Sequence, residues 1–426
     1  MSVTAPIKHS EFLNSILNST RPITGFENLC MDGIKNLQTT PFPSLRDEYW
    51  KYTRVSGLLK KEYKSCQVTG VSISDATLEL VGNNPRIVFV NGFIDTNLSA
   101  LPTSSKFSVN YLSSTEITEN SVSDFPTNWE NELEAFTLLN QSSFTDGVLL
   151  EVEKNAEVTE SIYLIHITTG ENVSVSQRNF IKLNTGSKAT FINVFEGDNE
   201  VSFGNHFNSI LVGENANFNW FDYHQDGAKA QSITTTIVHQ EANSQVSMGA
   251  HIFGGKMIRK NLYTSVLGEN CETTMNGAYV LNNKQIADYR VIVDHKAAHC
   301  NSDQMFKGVM TDQSTGVFNG KIYVRKDSQL INAFQNNRNI LLTDDANAFS
   351  RPQLEIYADD VKCSHGSTIG QLDNDALFYM MARGIRKTEA EKLLVSAFTA
   401  DALSNIQDEN FKNSVLESIA NKSEKL

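Results

Sequence analysis

Apolar positions along the chain follow three successive rhythms. In the first, Phe12, Leu13, Ile16 and Leu17 recur at helical spacing, and Thr24 followed by Glu27 forms a capping-box pattern ahead of Leu29, Ile34 and Leu37. Pro41 and Pro43 close that helix. Ile87 to Val90 and Phe93-Ile94 then read as two short strands about Asn91-Gly92, a pair that accepts the positive φ angles of a type I′ turn. A further helix is expected around Leu133 to Leu139.

From about Val148 to Ile369 short β-branched and aromatic runs alternate with Gly, Asn, Asp and Ser, and no long helical stripe appears. A repeat lies inside this region. GSKATF, ENANFNW, ANSQVSM and ENCETTM each put a small residue before an apolar strand start, at Ala189, Ala216, Ser244 and Cys271, at intervals of 27, 28 and 27 residues. That period suits one coil of a parallel β-helix, whose coils cannot bury their inward faces alone and must stack into one core. Right-handed winding is the default for parallel crossovers. Less regular units occur at Thr315 to Phe318 and Ala346 to Phe349. An antiparallel sandwich with evenly spaced turns is the alternative that periodicity leaves open.

After Gly370 the rhythm is helical again. Ala376, Leu377, Met380 and Met381 form a stripe closed by Gly384, and Thr388 with Glu391 offers a second capping box before Leu393, Leu394, Ala397 and Phe398. The tail NKSEKL reads as frayed. The expected class is mainly β: a mixed, mainly helical region over 1–147, a right-handed parallel β-helix over 148–370 and a helical region over 371–426.

Composition narrows the function. With 36 Lys plus Arg against 49 Asp plus Glu, the formal net charge of -13 repels phosphate backbones, so no nucleic-acid partner is expected. The start MSVTAPIKHSEFLNS lacks the features of a secretory signal, and no stretch approaches a membrane span, so no membrane partner and a cytoplasmic location are expected. Cys30, Cys66, Cys271, Cys300 and Cys363 are odd in number and contain no C-x-x-C pair, which fits reduced thiols.

Phosphate-loop, dinucleotide, H-E-x-x-H and nucleophile-elbow signatures are all absent, so intrinsic catalysis is not the leading idea. The segment LEIYADDVKCSHGSTIG carries the main candidates. If Val361 to His365 is extended, Cys363 and His365 project to one face, where thiolate and imidazole could reach a soft metal. Two ligands are half a site, and a partly buried thiol beside a surface histidine is the blander reading. Asp359-Asp360 fits a turn as well as an acid/base pair. His295, His299 and Cys300 form a second cluster, better read as a polar loop between coils, and Cys271 fits a small residue in a tight stack. Phe218, Trp220, Phe221 and Tyr223 are expected to pack along the coil.

The run RPQLEIYADDVKCSHGSTIGQLDNDALFYMMARGIRKTEAEKLLVSAF resembles the SufB/SufD family of iron-sulfur cluster assembly scaffolds, as do DEYWKYTRVSGLL, RIVFVNGFI, AFTLLNQSSFTDGVLLEV and HCNSDQMFKGVMTDQSTGVFNGKIYV. Within the family, CSHG and the modest length are similar to the SufD branch. SufB-type chains carry a different segment there and usually further cysteine motifs. The resemblance implies a non-enzymatic scaffold that pairs with SufB through its C-terminal coils. It also implies docking of the SufC ATPase on the C-terminal helices, here Leu377, Tyr379, Met380, Leu393, Leu394 and Phe398. It carries His365 and Cys363 over to the SufB interface as candidate ligands of a nascent iron-sulfur cluster held transiently there. Reduced flavin becomes a candidate of the complex, a homodimer a candidate state of the isolated chain, and no cofactor is expected on that chain alone. The rivals are a β-helix enzyme acting on polysaccharide and a SufB-type scaffold.

Overall fold

The computed structural model describes residues 10–130 and 132–423. From Val148 to Gly370 the chain winds as a parallel β-solenoid in which each coil places one strand in each of two sheets. Strands two apart in the chain are therefore neighbours. Sixteen strands, Val148–Val152 through Val361–Gly370, make eight coils, and pairing runs in register, as in Gln245↔Glu272 and Glu272↔Asn301. The antiparallel alternative is excluded.

The corners explain the Asn-rich spacing. Asn155, Asn215, Asn243 and Asn270 have φ between 57° and 59°, a left-handed conformation that Asn tolerates better than other side-chain-bearing residues. Asn270 donates from Nδ2 to Oδ1 of Asn243 at 3.2 Å, linking corners of neighbouring coils. Inward side chains such as Leu164, Phe191, Trp220, Met248 and Met275 share one continuous core.

The register corrects the repeat. Lys188 pairs with Asn217, so the residue one coil below Ala216 is Ser187, while Ala189 pairs with Phe218. The error is two residues, which in a strand returns to the same face and hides the slip. The buried column runs Ser187, Ala216, Ser244, Cys271, Cys300. Thr315 to Phe318 and Ala346 to Phe349 fall in the other sheet, in strands Thr315–Val324 and Asn347–Ile356, which is why they fit the first repeat poorly.

Helices clothe the outer faces. Ser10–Ser19, Glu27–Leu37 and Ala135–Ser143 lie on the nine-stranded sheet, where Phe12 and Phe136 meet Phe203. Buried Arg259 fastens this layer: it stacks 3.8 Å from the Trp50 ring, donates to the Tyr49 carbonyl at 2.9 Å and pairs with Asp288. Glu27–Leu37 starts without a Thr24 cap. Phe26 N–H donates to the Ile23 carbonyl, Gly25 sits at φ 88°, and Glu27 instead accepts from Gly25 N–H at 2.9 Å.

On the ten-stranded sheet lies Glu409–Ser423, a helix inside the helical region expected over 371–426, though no apolar stripe of its own was picked out there. Its Phe411, Val415 and Ile419 are buried against Phe221, Tyr223 and their neighbours. Lys387–Thr399 precedes it without a side-chain cap, because Thr388 lies inside the helix rather than before it. Residues 421–423 continue the last helix instead of fraying. Residues 424–426 and 1–9 lie outside the described residues, so the end of the tail and the first part of the leader reading do too.

Candidate functional site at the open end of the solenoid

The last coil has no successor. Asn347–Ile356 and Val361–Gly370 each pair along one side only, with Thr315–Val324 and Ile331–Leu341, leaving two ten-residue edges without a strand neighbour among the described residues. Neither strand contains a buried residue. Such edges present unpaired N–H and C=O groups and are templates for another chain.

Cys363 and His365 sit on this coil. Cys363 pairs with Ala333 and His365 with Gln335, both wholly buried, inward-facing residues of the preceding coil, so the two side chains share the face that would be core if another coil followed. With none, Cys363 is half-buried against the core margin and His365 is exposed. Burial raises the Cys363 thiol above its ordinary value, so the sulfur keeps its proton until a metal or a partner's charge displaces it. The two side chains supply one soft and one borderline ligand, and further ligands must come from outside this pair. Among the described residues no group of three His, Cys, Asp or Glu side chains is placed to hold a metal.

The second sequence cluster does not assemble. His295 is buried at a strand end with Nε2 2.9 Å from Ser302 Oγ, His299 is exposed at the corner, and Cys300 is buried in the stack beside Cys271. The polar-loop reading holds for residues 296–299 and fails for the residues that flank them. Extending the repeat by one coil from Cys271 would have landed on Cys300. Asp359 and Asp360 occupy an exposed bend, where the Asp360 carbonyl accepts from Leu330 N–H at 2.7 Å.

Of the C-terminal candidates, Leu377, Met380, Leu394 and Phe398 are half-buried, while Tyr379 and Leu393 stand 57% and 53% exposed. Helix Asn374–Ala382 buries none of its residues. Phe378, 73% exposed, stands on the same helix and was not singled out in sequence, since it lies beside the stripe that helical spacing selects, whereas Met381, a member of that stripe, is 44% exposed. Exposed apolar side chains grouped in this way mark an interaction surface. No helix among the described residues is long and apolar enough to cross a membrane.

Residues 166–398 match the family model described as "SUF system FeS cluster assembly, SufBD core domain". The chain is 28% identical over 391 residues to the iron-sulfur cluster assembly protein SufD of Escherichia coli, covering 90% of each chain. It is 27% identical over 388 residues to a SufBD family protein of Synechocystis, covering 85% of this chain and 84% of the relative. It is 23% identical over 293 residues to SufD of Bacillus subtilis, covering 67% and 66%. The polysaccharide-enzyme alternative gives way to these matches. Because the core-domain model takes in more than half of the sequence and most of the solenoid, the chain belongs to the SufBD family of the SUF iron-sulfur cluster assembly system.

Proposed function

We propose that this chain is a SufD-type scaffold that contributes no catalysis of its own and completes its structure by docking on a SufB-type partner. The observation that carries this reading is the open last coil: two ten-residue edge strands whose inward positions, Cys363 and His365 among them, lack a covering layer. A partner strand there would both satisfy the edges and place its own ligands opposite the pair. The cluster is cargo assembled at that junction. His365 offers an imidazole nitrogen to iron, and Cys363 is an auxiliary thiol that releases its proton on metal binding. The exposed Phe378, Tyr379, Met381 and Leu393 form the seat for a SufC-type ATPase, which brings the nucleotide chemistry missing here. The matches to proteins named SufD favour this branch over a SufB-type assignment. A cytoplasmic setting follows from the same reading.

Co-expression with SufB-type and SufC-type chains from the same genome tests it. A stable three-component complex that gains iron and sulfide on reconstitution is expected, and a chain that purifies away from both partners contradicts the proposal.

A further inference from the structure

The solenoid holds a pair of nucleophilic side chains that the assembly reading does not use. Cys271 and Cys300 occupy the same position on neighbouring coils, one residue before strands Glu272–Leu281 and Asn301–Met310, which pair in register from Glu272↔Asn301 onward. Both thiols meet one acceptor, the Gly268 carbonyl, at 3.2 Å from Cys271 Sγ and 3.4 Å from Cys300 Sγ. Ser187, Ala216 and Ser244 fill the same column in earlier coils, so packing alone asks only for a small residue.

We propose that Cys271 and Cys300 form a reversible dithiol–disulfide pair that staples two coils of the solenoid when the protein meets a hydroperoxide. Neighbouring strands lie about 4.8 Å apart, inside the range of Cα separations that disulfides span. The Cβ atoms must close by roughly 1 Å, and the pair sits where corners rather than strand centres can give. Both thiols are fully covered, but the cover is thin: Glu269, Asn270 and His299 in the preceding corners are exposed. A small neutral oxidant can reach sulfur there through local corner motion.

Of the two sulfurs Cys271 is the one that ionises more readily. The Cys300 thiol can donate to it and stabilise the thiolate, lowering Cys271 to about 7. In its thiol form Cys271 can donate to the Glu241 carbonyl at 3.0 Å or the Gly268 carbonyl at 3.2 Å. In the reaction Cys271 thiolate attacks one peroxide oxygen, the O–O bond breaks and hydroxide leaves, giving a sulfenic acid. The Cys300 sulfur then attacks the Cys271 sulfur, its proton passing to the departing hydroxyl, so that water leaves and the S–S bond forms. Two thiols and one peroxide thus give one disulfide and two waters.

The test uses the full-length chain titrated with hydrogen peroxide, alkylated in denaturant and mapped by mass spectrometry before and after reduction. A Cys271–Cys300 linked peptide pair, two hydrogens lighter than the separate peptides and lost on reduction, should dominate. In Cys300→Ser, Cys271 should instead be trapped by dimedone as a sulfenic acid. Should that variant fail to fold, Cys271→Ala removes the same bond in a column that already holds alanine two coils earlier, at Ala216, and Cys300 should then stay alkylatable. The proposal is overturned if Cys271 and Cys300 both remain thiols at peroxide levels that oxidise Cys363, or if the disulfide found joins other cysteines.

Discussion

The two ends of the solenoid are built on opposite principles. At the N-terminal end the hairpin Arg86–Val90 and Phe93–Ile94 terminates one sheet, and the short antiparallel strand Phe107–Tyr111 terminates the other. Ile87, Val88, Phe89 and Val90 are buried, and Phe89 begins a ring column that passes through His166, Phe195 and His224 at centroid separations of 5.3, 4.4 and 4.2 Å. At the C-terminal end two full-length parallel strands stop in solvent, with Ile369 49% exposed. Short, reversed edge strands are a common way to prevent pairing with another chain. The chain therefore closes the end that stays alone and leaves bare the end that, in our reading, meets SufB.

Acid offers the largest lever on this contrast, because the closed body buries histidines that the open end does not. Burial holds folded His166 and His295 down to about 4, against 6.5 in the unfolded chain. Below pH 6.5 the unfolded chain takes up protons that the folded one refuses, so their contribution is full above 6.5 and is lost progressively down to about 4. The loss approaches about 1.4 kcal/mol per pH unit for each histidine, on the order of 5 kcal/mol for the pair across that window. Urea midpoints measured from pH 7 to pH 5 should fall steeply, and a flat profile would break the account of the buried body.

Substitutions at the two ends come next. Phe89→Ala removes a buried ring at the closed end and should cost about 3–5 kcal/mol in urea unfolding. Ile369→Ala on the isolated chain should stay within about 0.5 kcal/mol, since its side chain is half in solvent before any partner arrives. Equal costs at both ends would remove the asymmetry.

Binding sharpens it further. Tyr379→Asp with Leu393→Asp puts charge into the exposed apolar surface and should weaken SufC-type affinity at least tenfold by calorimetry, about 1.4 kcal/mol, with unchanged thermal unfolding. Unchanged affinity would move the ATPase seat elsewhere. Deleting everything after Gly370 is a poorer probe, because it also strips Phe411, Val415 and Ile419 from the ten-stranded sheet. The smallest structural effect is expected from His365→Ala: no loss of stability or of SufB-type binding, but reduced iron and sulfide in the reconstituted complex. Wild-type cluster content would sink the role given to this imidazole, and lost SufB-type binding would make it a contact residue.

Much of the coil architecture was legible because it is local. Small residues before the strands and the Gly, Asn, Asp and Ser that interrupt them recur on the chain itself, and the Asn91-Gly92 turn was legible for the same reason, with φ of 50° and 83°. What escaped depends on neighbours. The two-residue slip at Ala189 preserves the strand face, so alternation could not expose it; only pairing with Phe218 does. Cys300 was drawn to His295 and His299 by sequence proximity, whereas its contact is Cys271, one coil away. Helix Glu409–Ser423 carries mixed polar residues on its outer face and owes its position to Phe221 and Tyr223 beneath it. Cys363 and His365 were placed on one face by spacing alone, but that this face is uncovered is a property of the whole stack, since it requires that no further coil follow.

The central claim, that the open end is the partner-facing end, is tested most directly by amide hydrogen exchange on the chain alone and after addition of a SufB-type partner. Slow exchange in Arg86–Val90 in both samples, with protection gained in Asn347–Ile356 and Val361–Gly370 on complex formation, is the predicted result. Complex formation that leaves those two strands exchanging as before, while protection appears at the Arg86–Ile94 hairpin, would contradict it.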